Sequence, residues 1–353
     1  MLSTSSNETF TGWACAAKGE PLEKMELPLR TWDENCVDMD VICCGMCGTD
    51  IHTLDESFGP GTSWPCVVGH EIAGKVTRVG KNVTNVRVGD RAGVGCQADS
   101  CGKCEECLKG NQNLCTVRIV MTYNDTWFNG DKTFGGYGSK FRGDYRFIFK
   151  VPDSMPSEIA ASFFCSGLTV YAPMKRLNVN SKSVVGVVGI GGLGHFAILF
   201  AKAFGAKVVA MSQTEAKRSA ALELGADDFL VTSNAKAMTS YKKRFTHILC
   251  TGTGQASFQW NDYFNLLKAS GCFINAMIAD WDFPPISPTT LLLHQVYIHG
   301  SFIGSPKEIE EMLAFAVEKK ILPWVTTYPM SKVNEALEDF RAGKPRFRFV
   351  LEN

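Results

Sequence analysis

Ser183-Val-Val-Gly-Val-Val-Gly189-Ile-Gly191-Gly-Leu-Gly194-His-Phe-Ala-Ile-Leu-Phe-Ala-Lys-Ala-Phe204 is the stretch on which the fold turns. Ser183 to Val188 is a β-branched run that reads as a buried strand, and Leu193 to Phe204 carries the apolar pattern of a helix. Gly189, Gly191 and Gly194 stand between them in the spacing G-x-G-x-x-G. Alone, that spacing is weak. Between a strand and a helix it allows a tight turn, close approach of backbone to a pyrophosphate and close packing of helix on strand. The anion would rest on the helix N-terminus, where free N–H groups and the dipole favour it, so Gly189, Ile190, Gly191, Gly192, Leu193 and Gly194 are expected cofactor contacts.

The grammar continues downstream. Lys207 to Met211 reads as a second strand, Thr214 to Leu224 as a helix closed by Gly225, and Asp228 to Val231 as a third strand. Thr246 to Thr251, Cys272 to Met277 and Val296 to Gly300 extend the series. Strands alternating with helices of this length mean βαβ units and a parallel sheet covered on both faces. An acidic side chain at the end of the second strand would bond the ribose hydroxyl of NAD. Here that place holds Ser212-Gln213-Thr214, then Lys217 and Arg218. Hydroxyls and cations favour NADP, although Lys217 and Arg218 could instead be the solvated face of the helix.

From residue 35 to 150 the text is Gly-rich with short runs: Val37 to Cys44, Ile72 to Val79, Arg91 to Val94 and Phe147 to Val151. These predict a compact β-rich domain. A helix from Pro306 to Lys319 precedes a polar tail that ends in strand-like Phe347 to Leu351 and returns to the first domain. The 353 residues suit two domains, and 36 basic residues balance 36 acidic ones with no long like-charged run. That balance argues against nucleic acid or an anionic membrane as partner. No apolar stretch reaches membrane-spanning length, and Met1 to Thr11 lacks the layout of a signal peptide.

Four of the 14 cysteines are grouped at ligand spacing, and others such as Cys43, Cys44, Cys250 and Cys272 sit in apolar strand-like runs as buried small hydrophobes, which suits a reducing cytosol. Cys101, Cys104, Cys107 and Cys115 form a tetrahedral thiolate set of the kind that binds structural zinc. An iron–sulfur cluster fits less well, because the last gap is long and no Pro follows. A chance run or a disulfide pair is the remaining alternative. A second set is dispersed: Cys47 in Cys47-Gly-Thr49-Asp50-Ile-His52, His70 in Gly69-His70-Glu71, and Cys165 in Cys165-Ser-Gly-Leu-Thr169. Two thiolates and one imidazole with a fourth position open is the catalytic zinc arrangement of alcohol dehydrogenase.

With these segments in view, the chain resembles the zinc-dependent medium-chain alcohol dehydrogenases, in the cinnamyl alcohol dehydrogenase-like, NADP-dependent branch. The resemblance spans nearly the whole chain and includes Phe134-Gly-Gly-Tyr-Gly and Gly300-Ser-Phe-Ile-Gly304. It implies an α/β architecture: a GroES-like β-rich catalytic domain from residues 1–160 and 300–353, and a doubly wound Rossmann domain from 161–299. It implies a catalytic zinc on Cys47, His70 and Cys165, with Glu71 beside it as a carboxylate or alternative ligand, and a structural zinc on the quartet. Asp50 would fix the tautomer of His70, and Thr49 and His52 would relay a proton. Thr49, Thr169, the fingerprint residues, Ser212, Thr214, Lys217, Thr251, Ser301, Phe302 and Ile303 would touch NADP(H). A cytoplasmic homodimer acting on an aldehyde or alcohol is implied as well.

Some positions depart from the family pattern. Gly48 stands where many relatives carry His or Arg, Trp64 replaces a more usual Tyr or His, and Asn275-Ala276-Met277 lacks a common glycine. Trp64, Trp127 and Phe302 are expected pocket walls that suit aromatic or long aliphatic aldehydes. Three readings stand at this point: carbonyl reduction, reduction of an activated C=C or C=N bond on the same fold, and a non-catalytic zinc and nucleotide-binding protein.

Overall fold

The computed structural model describes residues 8–57, 59–252, 258–278 and 282–353; most of the Ser/Thr-rich start lies outside them. The chain forms two compact units, Met1–Leu168 with Ile303–Lys320 and Trp324–Asn353, and Thr169–Phe302 with Ile321–Pro323. Cys165 therefore belongs to the same unit as Cys47 and His70.

In the second unit a six-stranded sheet runs in the order Asp228–Val231, Lys207–Ser212, Val184–Val188, Phe245–Cys250, Leu267–Asn275, Tyr297–Gly300. Every neighbouring pair is parallel. The order is that of two βαβαβ halves, with the switch point beside the central strand Val184–Val188. That strand is apolar throughout because both faces are covered. Phe258, Trp260, Tyr263, Phe264 and Phe273 fill one side of the sheet with aromatic contacts. The expected helix from Thr214 to Leu224 is instead one 3₁₀ turn, Glu215–Lys217, followed by the helix Arg218–Glu223. The break falls at Lys217, whose amine reaches back to the Ile190 carbonyl at 2.7 Å rather than running along a helix surface.

The first unit is built on a seven-stranded sheet, in the order Val325–Pro329, Arg348–Glu352, Cys36–Gly45, Glu71–Val79, Arg91–Val94, Phe149–Lys150, with Lys140–Asp144 pairing Cys36–Gly45 off this path. The C-terminal strand pairs antiparallel with Cys36–Gly45, matching Val350 to Gly45 and Leu351 to Cys44. An N-terminal hairpin, Thr9–Cys15 with Leu22–Pro28, adds to this unit. Among the described residues, no helix is long and apolar enough to cross a membrane.

Candidate functional site

The dispersed trio converges. The strand Cys36–Gly45 delivers Cys47 to the start of the helix Gly48–Leu54, which Cys47 caps. His70 and Glu71 enter the strand Glu71–Val79. Cys165 sits in a widened π turn, Phe163–Gly167, between the helices Ser157–Ser162 and Leu168–Arg176. Such turns insert one extra residue and re-aim a side chain, and they recur at functional sites. Cys47 Sγ lies 4.0 Å from Cys165 Sγ, and His70 Nε2 lies 3.2 Å from Cys165 Sγ. Ligand atoms of Cys47, His70, Glu71 and Cys165 all fall within 4.8 Å of one another. A tetrahedral zinc with Zn–S bonds of about 2.3 Å sets sulfurs about 3.8 Å apart, so spacing and donor chemistry both fit that ion.

Electrostatics favour the same use. Hydrogen bonding with Cys165, helped by nearby His70, holds the Cys47 thiol well below its usual range against the effect of burial, while Cys165 is pushed up. Asp50, fully buried, places Oδ1 3.1 Å from His70 Nδ1, which leaves Nε2 for a metal. Glu71 Oε1 accepts from Arg348 Nη2 at 2.5 Å and from Ser166 Oγ at 3.1 Å. Burial raises the Glu71 carboxyl to about 7, with Arg348 opposing the rise. Its other oxygen, Oε2, is buried without a hydrogen-bond partner and lies where a side chain at Gly45 would fall, only 2.0 Å from the position of such a Cβ. Thr49 Oγ1 lies 3.6 Å from Cys47 Sγ, and His52 follows one turn later, partly exposed.

The quartet also closes. Cys101 and Cys107 sulfurs are 3.9 Å apart, Cys104 and Cys115 sulfurs 3.8 Å apart, and all four lie within 4.8 Å. The thiols are free rather than paired in disulfides. A hydrogen bond from the Cys107 backbone helps bring the Cys104 thiol down to about 5, whereas burial pushes Cys107 up to about 12. Cys107 Sγ donates to Ser100 Oγ at 3.4 Å, and Arg146 ties Asp99 at 2.6 Å to Asp144 at 2.8 Å beneath the loop.

In the second unit a pocket of about 360 Å³ is lined by Gly189, Ile190, Ser212, Gln213, Thr214, Lys217, Gly252 and Tyr263, among others. Gly189 has φ +84°, and a Cβ on Gly194 would come 1.9 Å from the Gly189 carbonyl oxygen. A Cβ on Gly191 would meet nothing within 4 Å, which is the room a pyrophosphate needs beside the first turn of the helix Gly192–Ala203. Leu193 lies in that same turn. Of the two expected cations only Lys217 lines the pocket; Arg218 pairs with Glu215 and covers the Phe229 ring at 4.8 Å. Thr251 Oγ1 donates to the carbonyls of Val188 and Gly189, so it braces the turn.

Other expected residues lie elsewhere. Thr169 is on the helix Leu168–Arg176. Ser301 bonds through its N–H to the Asn275 carbonyl, and Phe302 is 38% exposed. Ile303 is buried in the first unit, beside Cys96 in a small cavity. Trp64 packs on the core of the first unit. Trp127 is buried with Ala98 and Val120, is capped by the Arg30 guanidinium at 4.5 Å, and lines a small cavity with Phe10, Leu29 and Phe134 rather than the nucleotide pocket. Gly45, Arg348, Gly252 and Tyr263 carry no local motif that marks them, while Ser166 and Gln213 lie inside segments marked for their neighbours. Arg348 reaches Glu71 across 277 residues of chain.

Comparison with known proteins agrees with this geometry. Residues 33–153 match the alcohol dehydrogenase GroES-like domain, and residues 192–318 match the zinc-binding dehydrogenase family. Vomilenine reductase from Rauvolfia serpentina is 38% identical over 351 residues, covering 98% of this chain and 95% of that protein. A cinnamyl alcohol dehydrogenase of Sorghum bicolor superimposes with a TM-score of 0.93 at 34% identity, covering 98% of each chain. The cinnamyl alcohol dehydrogenase of Helicobacter pylori, solved in complex with NADP(H), gives 0.89 at 29% identity and the same coverage. The chain belongs to the zinc-dependent medium-chain alcohol dehydrogenases, within their cinnamyl alcohol dehydrogenase-like branch.

Proposed function

We propose that the protein transfers hydride between NADPH and an aldehyde or primary alcohol of aromatic or long aliphatic type, at a zinc held by Cys47, His70 and Cys165 with Glu71 beside it. The observation that carries this reading is the convergence of those ligand atoms within 4.8 Å from separate elements of one unit. A zinc bound there supplies Lewis-acid polarisation of a carbonyl or alcohol oxygen, while the nicotinamide supplies the hydride. The chain's own residues do the rest. Asp50 keeps His70 in the metal-binding tautomer. Thr49 and His52, on one helix, carry the proton between the substrate oxygen and solvent without opening the site to bulk water. Ser212, Thr214 and Lys217 take the ribose phosphate of NADP, and the turn Gly189 to Gly194 with Ile190 takes the pyrophosphate. The quartet holds a second, structural zinc.

Two zincs per chain by metal analysis, together with faster oxidation of NADPH than of NADH in the presence of cinnamaldehyde, is the expected result. Zinc-free protein that keeps full activity would overturn the reading. A second reading, reduction of an activated C=C or C=N bond, draws support from the 38% identical relative named a reductase. An enone and a cyclic imine assayed beside cinnamaldehyde separate the two.

The assembly is a homodimer in this reading. Tyr297–Gly300 is an edge strand of the six-stranded sheet, and it leaves Tyr297 45% and Ile298 37% exposed. An apolar edge strand is a template for a second copy. Two thiolate metal sites also suit a reducing compartment such as the cytoplasm.

A further inference from the structure

We infer that Tyr137 is a positioning residue for the metal centre: its hydroxyl holds Asp50, and through Asp50 it fixes the ring of His70. The inference rests on the ligand reading above and adds a residue to it.

Asp50 is a buried carboxylate that accepts three hydrogen bonds and has the His70 ring beside it. Oδ2 accepts from the Cys47 N–H at 2.8 Å and from the Tyr137 hydroxyl at 3.2 Å. Oδ1 accepts from the Gly69 N–H at 3.2 Å and faces His70 Nδ1 at 3.1 Å. Two of these partners are backbone groups next to the ligands, fixed by the chain itself. Tyr137 adds the side-chain hydroxyl bond to this set and, on Oδ2 beside the Cys47 N–H, completes the hold on that edge of the carboxylate; the Tyr123 hydroxyl also faces Asp50.

Its own position leaves no freedom. Tyr137 is fully buried, its N–H donates to the Val68 carbonyl at 3.1 Å, and its carbonyl accepts from the Trp13 N–H at 2.7 Å. The ring occupies the space beside Gly69, where a Cβ would come within 2.4 Å of it. Gly69, at φ +98°, is the residue that turns the chain into His70. Ring and glycine together thus set where His70 begins, and the hydroxyl sets where its ring points. Burial and the Asp50 charge hold the phenol well above its usual range, so it remains a donor.

Loss of a group that orients a metal ligand typically costs about 10- to 100-fold in metal affinity, and Tyr137 acts one bond further out, so about 3- to 10-fold is expected. Tyr137→Phe keeps the ring and removes the hydroxyl. Zinc release from the holoenzyme to a chromophoric chelator should show one of two equivalents leaving about 3- to 10-fold faster in the variant, with the other unchanged. Cobalt exchanged into the faster equivalent should show a shifted visible spectrum. In an Asp50→Ala background, which removes the acceptor, the same substitution should add nothing. Should that background not fold, release from Tyr137→Phe against wild type still decides. Wild-type release rates and an unaltered cobalt spectrum in Tyr137→Phe would overturn the positioning role while leaving the ligand reading intact. A wild-type enzyme that holds no zinc outside the quartet would overturn both.

Discussion

In the proposed reading, the two cysteine clusters use the same atoms for opposite ends. The quartet draws every donor from residues 101–115, while the trio spans elements separated by 95 and 118 residues. The loop of the quartet supplies its own geometry, and Ser100, the Gln97 amide on the Gln112 carbonyl and the Asp99–Arg146–Asp144 link anchor it to the rest of the fold. The trio has no geometry until the sheet of the first unit has formed. Around it lie Asp50, Ser166 and Arg348, all buried, each tied to a candidate ligand. Four sulfurs close a coordination shell, whereas two sulfurs and an imidazole leave a place for substrate. A closed site can be carried by a short surface loop; an open one needs a fold to hold it open.

Cys165→Ser tests the open site most severely. Turnover should fall at least about 1,000-fold, zinc should drop by one equivalent, and circular dichroism should be unchanged. Normal turnover would break the distinction between the clusters. Cys104→Ser should give the opposite signature: zinc again falls by one equivalent, but the loss appears as a lower thermal midpoint, by about 10 °C, because a structural zinc contributes folding energy directly. Turnover of the protein that remains folded should stay within about tenfold of wild type. A Cys104→Ser enzyme with unchanged Tm and abolished turnover would exchange the two roles.

The contrast between local and dispersed also governs what could be read from sequence. Spacing alone marks the quartet, and the strand, glycine turn and helix around Gly189 mark the nucleotide unit, because each is complete within a short segment. Cys47, His70 and Cys165 are legible by residue type and order but not by distance. Arg348 and Gly45 act on Glu71 from strands that neighbour it only after the C-terminal strand joins the sheet beside Cys36–Gly45. No local pattern could show that. An aromatic side chain reads the same in sequence whether it lines a pocket or packs in a core, and for Trp127 only the neighbours Ala98, Val120 and Arg30 show its surroundings. The helix expected from Thr214 to Leu224 forms with a 3₁₀ first turn, Glu215–Lys217, from which the Lys217 amine reaches a carbonyl 27 residues away, a contact that sequence spacing does not show.

His52→Ala probes the smallest difference between the clusters, the route of the proton. An open site that changes the charge on a substrate oxygen must move a proton, and a closed one has none to move. Thr49 and His52 are three residues apart on the helix Gly48–Leu54, so they share a face, with Thr49 nearer Cys47 and His52 partly exposed. An imidazole can accept or release a proton near neutrality, which is what the outer end of such a path requires. Removing it should lower kcat about tenfold for alcohol oxidation at about pH 7 and much less at about pH 9, where hydroxide can take the proton directly. Zinc content and Tm should not move. Because the effect depends on pH while the metal count does not, the profile separates a lost relay from a disturbed ligand set. A variant whose kcat falls by the same factor at every pH would assign His52 to holding the helix rather than moving the proton.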